Sequence, residues 1–190
     1  FGPLIEESEV QKCEQVVEEL AQTVYYPVSG GYRLCPETVT RAKEHGFTFD
    51  ADDFKKGGRL AKGNFFVPTV YVNLPPRARP VQEEIFGPIF FYNEIPPVTP
   101  GMLSEFSQFL LQEHLEIAPG TPEFYRMAHF LYVIELVNNS KYGLSNAVLT
   151  TDLTEAHLAT KLIRSGITYI GRGPTGAEVP GKFGGFKNSG

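Results

Sequence analysis

The segment from Ser145 to Ile170 constrains the fold more than any other. Ser145 to Thr150 reads as a short strand, Asp152 followed by Glu155 reads as a helix cap, and Leu158 and Leu162 repeat at one helical turn. Gly166 is expected to stop that helix in the left-handed conformation, and Ile167 to Ile170 is a second strand-like run. A strand, a helix and a strand in this order make a crossover, so the two strands lie parallel with a right-handed connection. The class is α/β, with at least part of the sheet parallel.

The remaining chain supplies those layers. Of its 190 residues, 42% are apolar and 13% aromatic, enough to bury a sizeable core. Behind a capping-box pattern of Ser8 with Gln11, the residues Val10, Cys13, Val17, Leu20 and Val24 recur at helical spacing, which predicts a helix over 8–24 with an acidic outer face. Pro36 and Gly46 bracket a short helix at 37–45, and residues 50–64 read as a solvated loop. Phe65 to Asn73, broken by Pro68, and Ile89 to Ile95 read as strands, the first near a sheet edge or bulged. Pro96, Pro97 and Pro100 end regular structure, after which Met102, Phe106, Phe109 and Leu110 mark a helix. Thr121 as N-cap with Pro122 at the first position opens another, carrying Phe124, Ala128, Leu131 and Val137 as far as Asn138.

Composition also excludes partners. A net charge of -5 provides no basic field for nucleic acid, and no stretch approaches the roughly 18 apolar residues that read as a membrane span. Cys13 and Cys35 are too few for a disulfide framework and suit a reducing compartment. His45, His114, His129 and His157 are isolated from one another and from cysteine, so no metal site is expected. The sequence begins at Phe1 and not at Met, so further chain is expected ahead of it.

Two nucleotide-binding patterns overlap after Ile170. Gly171, Gly173 and Gly176 satisfy G-x-G-x-x-G, and Gly176 to Lys182 satisfies G-x-x-x-x-G-K. Both need a helix immediately afterwards to receive phosphate at its N-terminus, and Pro180, Gly181, Gly184 and Gly185 oppose one. The second pattern also has Phe183 where a Ser or Thr must bind magnesium. Neither is read as a phosphate site.

Landmarks in chain order give these residues a different meaning. Gly2-Pro3-Leu4-Ile5, Pro68-Thr69-Val70, Glu83-Glu84-Ile85-Phe86-Gly87-Pro88, Asn138 to Leu144 and Phe183-Gly184-Gly185-Phe186-Lys187-Asn188-Ser189-Gly190 together resemble the aldehyde dehydrogenase superfamily. The resemblance implies that residues 1–190 are the C-terminal portion of a catalytic domain, part of a Rossmann-like α/β fold with a mostly parallel sheet flanked by helices. It also implies an intracellular enzyme, cytoplasmic or in the mitochondrial matrix, that acts on a small aldehyde with NAD or NADP as a homo-oligomer. Glu84 is then expected to accept hydrogen bonds from the nicotinamide ribose, and Phe86 to touch the nicotinamide.

Thr175, Gly176 and Ala177 resemble the anchoring loop of the amino-acid semialdehyde branch, which includes 1-pyrroline-5-carboxylate dehydrogenase. There, backbone amides hold the substrate α-carboxylate, and Phe183 is counted with the same loop. Arg77-Ala78-Arg79 points the same way, whereas the five residues between Ala177 and Phe183 are closer to aminoadipic-semialdehyde relatives. Gly171 stands where the family usually has Asn, and Lys182 where it has Pro. Two segments, about 26–56 and 97–130, are enlarged. The thiolate nucleophile and the general base of the family lie upstream of Gly2, so the 190 residues alone are expected to be inactive. A noncatalytic subunit built on the same framework is the alternative.

Overall fold

In the computed structural model, which describes residues 3–61, 63–103, 117–174 and 183–189, the chain divides into two units, residues 1–94 and 95–190. The first opens with helix α1 (Glu7–Gln22), whose buried face of Val10, Cys13, Val16 and Leu20 joins Phe66, Tyr71, Leu74 and Ile89 in the main core. Glu7 and Glu9 in its first turn complement the positive end of the helix dipole.

Both ends of α1 differ from expectation. The N-cap is Glu6, and Ser8 already lies in the first turn, where its hydroxyl donates back to the Glu6 carboxylate at 3.1 Å. At the other end, the Val24 amide donates to the Ala21 carbonyl at 3.0 Å and the Tyr25 amide to that of Leu20 at 2.9 Å, which together form a Schellman motif. Val24 takes the left-handed position of that motif, at φ 64, and is 76% exposed, so it leaves the apolar stripe.

Helix α2 (Val39–Glu44) is shorter than predicted because Pro36 and Glu37 belong to a turn. The Thr38 hydroxyl ties that turn to the Arg33 carbonyl at 2.6 Å, and Gly46 ends the segment at φ 84. Ala42 packs with Tyr32, Leu34 and Val67 in a second cluster, which Phe47 and Phe49 border with rings stacked at 5.6 Å. Residues 50–64 are not loop throughout, since Asp50 and Asp53 cap a short 3-10 turn at Ala51–Phe54.

Strand β1 (Thr69–Val72) pairs in parallel with β2 (Ile89–Tyr92), in register from Thr69–Ile89 to Val72–Tyr92. Before Pro68, which has no N–H to donate, only isolated bridges such as Arg33–Phe66 occur. The Thr69 side chain is fully buried and fully used: its hydroxyl donates to the Val67 carbonyl at 2.7 Å and accepts from the Gly31 amide at 2.8 Å. Helix α3 (Arg79–Gln82) lies on the crossover between the two strands.

In the second unit, helix α4 (Pro122–Asn138) begins as the sequence predicts, with the Thr121 hydroxyl accepting from the Phe124 amide at 3.2 Å. Phe124, Met127, Ala128 and Leu131 pack on Leu158 of helix α5 (Leu153–Leu162), and Ile134, Ala159 and Ile163 continue the core. Asp152 caps α5 through the amides of Thr154 and Glu155, at 2.8 and 2.9 Å. Strand β3 (Tyr142–Gly143) precedes β4 (Ser145–Val148), which runs parallel to β5 (Ile167–Ile170) across α5 as the crossover pattern requires. Strand β6 (Phe186–Lys187) pairs antiparallel with β3.

Gly166 has a different role from the one expected. Helix α5 ends at Leu162, Ile163 is its extended cap, and Gly166 lies outside the left-handed region. Of the helix expected over Met102 to Leu110, residues 104 onward lie outside the described residues, and Pro100–Met102 form a 3-10 turn. The described residues thus contain three two-stranded ladders, two parallel and one antiparallel, and no described helix is long and apolar enough to cross a membrane.

Candidate functional site

The Glu83–Pro88 turn sits between α3 and β2 and is pinned at both ends. Upstream, the Arg79 guanidinium grips the Glu19 carboxylate of α1, with Nε at 3.0 Å from each oxygen, and the Gln82 amide donates to the Pro76 carbonyl at 2.8 Å. That pairing holds the Glu19 carboxyl below its ordinary range and raises Arg79. Downstream, the buried Pro88 offers its carbonyl to the Thr69 amide at 2.8 Å.

Exposure alternates between these anchors. Ile85 packs on the main core, whereas Glu84 is exposed and Phe86 is 65% exposed. The Glu84 side chain makes no hydrogen bond or ion pair with another described residue, which leaves its carboxylate open as an acceptor. Phe86, Gly87 and Pro88 line a cleft of about 540 Å³ with Pro3, Leu4 and Ile5, so the first and third sequence landmarks meet there. Glu6 and Glu9 from the start of α1 complete the lining.

Gly87 is required by what lies beneath it. A Cβ at this position would overlap the Sγ of Cys13, which is fully buried in α1. Burial, with Glu9 and Glu14 adding to it, pushes the Cys13 thiol up to about 11, so it is protonated at neutral pH and shielded from any substrate. Cys35 is half-buried in the turn before α2, with Sγ 3.5 Å from the Thr38 hydroxyl. Neither thiol has the surroundings of a nucleophile, and among the described residues no group of three or more His, Cys, Asp or Glu side chains could hold a metal ion.

The remaining predicted site residues belong to the second unit. Phe183 is 66% exposed, and Thr175, Gly176 and Ala177 lie outside the described residues. Among the described residues, the first element after the glycine-rich stretch is strand β6, and no described helix offers either phosphate-loop pattern an N-terminus.

In the sequence, Asn138 to Leu144 and Phe183 to Gly190 are separate landmarks. The structure packs them into one knot. The Gly143 amide donates to the Ser189 hydroxyl at 3.0 Å and the Asn188 amide to the Lys141 carbonyl at 3.1 Å. The Lys187 ammonium donates to the carbonyls of Asn138, Ser140 and Tyr142 at 2.8, 2.9 and 3.4 Å. Burial, with the Arg164 charge adding to it, pulls Lys187 below the ordinary lysine range, and the carbonyls oppose that by favouring the charged form. Close approach needs glycine here as well: a Cβ on Gly143 would overlap the Arg164 carbonyl, and one on Gly166 the carbonyl of Gly184. The spacing of these glycines is the available signal, but no local pattern pairs segments as far apart as Lys141 and Asn188.

Comparison with known proteins assigns this framework. The aldehyde dehydrogenase family profile matches residues 32–96 and 124–190. The chain belongs to that family. A 1-pyrroline-5-carboxylate dehydrogenase of Bacillus licheniformis is 33% identical over 72% of the chain, which spans 22% of that relative. The enzyme of the same name from Bacillus pumilus is 29% identical over 95% of the chain and 30% of its own length. Among solved structures, a 1-pyrroline-5-carboxylate dehydrogenase from Thermus, described with bound NAD, aligns over 97% of the chain and 25% of its own with a TM-score of 0.60 at 24% identity, a likeness of fold. The chain thus covers less than a third of the length of these three relatives.

Within this family framework, one departure has a backbone explanation. Gly171, where the resemblance implies Asn, sits at φ 70, and its amide donates to the Val148 carbonyl at 2.9 Å. Glycine and asparagine are the residues that enter the left-handed region most readily, so the exchange keeps the turn and removes a side-chain amide. Lys182, where the resemblance implies Pro, lies outside the described residues.

Proposed function

We propose that the intact protein oxidises an amino-acid semialdehyde, such as glutamate semialdehyde, to the carboxylate with NAD or NADP. The observation that carries this reading is the 33% identity to a 1-pyrroline-5-carboxylate dehydrogenase over 72% of the chain. Glu84 and Phe86 suit a nicotinamide nucleotide. An exposed carboxylate without a partner among the described residues can accept from both hydroxyls of a ribose diol, and an exposed ring at a cleft wall restricts where a flat heterocycle lies. The bound dinucleotide supplies the hydride acceptor.

The backbone amides of Thr175, Gly176 and Ala177 hold the substrate carboxylate in this reading, with the exposed ring of Phe183 closing the same loop. The thiolate nucleophile and the general base come from the remainder of the intact protein, because Cys13 is buried and protonated. The 190 residues alone are inactive, and the intact protein works as an intracellular homo-oligomer.

The test is NADH formation by the intact protein with glutamate semialdehyde against a simple aliphatic aldehyde. Preferential turnover of the semialdehyde supports the reading. No turnover of either aldehyde refutes it and favours a noncatalytic subunit. Glu84→Gln in the intact protein is expected to weaken NAD binding about tenfold, the loss of a charge-assisted hydrogen bond, in a fluorescence titration.

A further inference from the structure

The Lys187 ammonium is placed in an unusual way. Its own backbone is left-handed, at φ 59, a conformation that is unfavourable for a residue with a Cβ. Residues in such conformations persist where surrounding contacts over-determine them. Here the surroundings are three carbonyl oxygens, from the last residue of α4, from the turn after it, and from β3. Carbonyls at a helix C-terminus lack intrahelical partners and carry the negative end of the helix dipole. A tetrahedral ammonium with three N–H groups matches three convergent acceptors, whereas a planar guanidinium does not.

The same place anchors the stem that carries Phe183. Asn138 extends the knot toward α5, donating from Nδ2 to the Leu162 carbonyl at 2.8 Å and accepting at Oδ1 from the Arg164 amide at 2.7 Å. The Gly166 amide donates to the Gly143 carbonyl at 3.0 Å, and Gly166 and Gly184 approach backbone to backbone. Phe183 therefore emerges from a backbone-packed stem, and Lys187 is the charged group that joins the stem to α4.

We propose that Lys187 is a positioning residue: its ammonium holds Phe183 and the stem behind it against the C-terminal end of α4 and so sets where the Phe183 ring meets the aldehyde. The consequence for substrate rests on the functional reading above, while the clamp itself does not. A displacement of about 1 Å in a binding element is enough to reduce turnover by up to about 100-fold, so a loosened stem is felt at the substrate.

The test uses the intact protein and three variants, Lys187→Met, Lys187→Arg and Lys187→Gly. Lys187→Met is expected to raise the aldehyde KM about tenfold while NAD affinity stays within about twofold, and to speed amide hydrogen exchange across residues 141–143 and 183–189. Lys187→Arg keeps the charge without the geometry and falls between Met and the native residue. Lys187→Gly relieves the left-handed backbone but lacks the ammonium, so it is expected to do no better than Met. Native KM and native exchange in Lys187→Met overturn the proposal, as does full recovery by Gly, which would make the backbone and not the ammonium decisive. Equal losses in NAD affinity, kcat and melting temperature also overturn it, since they mark a purely structural residue. If the intact protein oxidises no aldehyde, the functional reading fails by itself, and the exchange result decides the clamp.

Discussion

The turn at Glu83–Pro88 and the knot at Phe183–Ser189 both depend on glycine, but their glycines meet different obstacles. Gly87 lies over the thiol of Cys13, a side chain, and the turn it permits leaves Glu84 and Phe86 outward. Gly166 and Gly143 lie against the carbonyls of Gly184 and Arg164, which are backbone held in place by neighbouring ladders. A side chain can be trimmed or can rotate, while a carbonyl two or three residues from a paired strand moves little without disturbing the pairing. The first turn therefore tolerates compensated change, and the second does not.

The largest expected effect is at the knot. Gly166→Ala in the intact protein should destabilise by about 3 kcal/mol or more, read as a lowered urea midpoint or as loss of soluble protein, because no small shift relieves a Cβ placed on a carbonyl. Near-native stability would show that the two backbones are not in contact. Gly87→Ala should cost less, about 2 kcal/mol, and Cys13→Ala in the same chain should restore roughly 1 kcal/mol of it in a double-mutant cycle. Additive losses would mean that Cys13 is not the obstacle, and the contrast between the two regions would fall.

A helix end that lacks glycine where geometry asks for one gives the opposite sign. Val24 is β-branched, left-handed and mostly exposed, so Val24→Gly should stabilise by about 1 kcal/mol, seen as a rise in melting temperature. A fall would show that the Schellman geometry at Thr23–Tyr25 is not held in solution. The smallest effect concerns the pair that anchors the Glu83–Pro88 turn. The Glu19 carboxyl lies below the ordinary 4.5 in the folded chain because of Arg79. Its contribution is complete above pH 4.5 and is lost as pH falls through the depressed folded value. Both partners are partly exposed, at 56% and 37%, so the contribution is below about 1 kcal/mol. Arg79→Met should flatten stability against pH over that window, and an unchanged profile would remove the ion pair from the account.

Much of this architecture was legible because its causes are local. The Thr121–Pro122 start of α4, the Asp152 cap and the parallel β4–α5–β5 crossover each follow from side chains within a few positions of the atoms they satisfy. The capping box assigned to Ser8 failed because the carboxylate two positions earlier took its hydroxyl and the helix began sooner. Val24 fits the helical period but not the helix, since periodicity does not say where the backbone turns left-handed. A helix stop is the local reason for a glycine after a helix, whereas the reason for Gly166 lies at Gly184.

Glu84 and Phe86 stood out from the sequence through the landmark they share, and their outward placement between Arg79 and Pro88 came from the fold. The glycines after Ile170 show the limit from the other side. The sequence by itself argues against a phosphate-binding helix after them, because proline and glycine at 180–185 oppose one through local backbone preference. Only the tertiary structure decided what those around the stem are for. Whether a missing Cβ admits a ligand, a thiol or another backbone depends on which distant segment arrives there, and that is set by the packing of α4, β3 and β6.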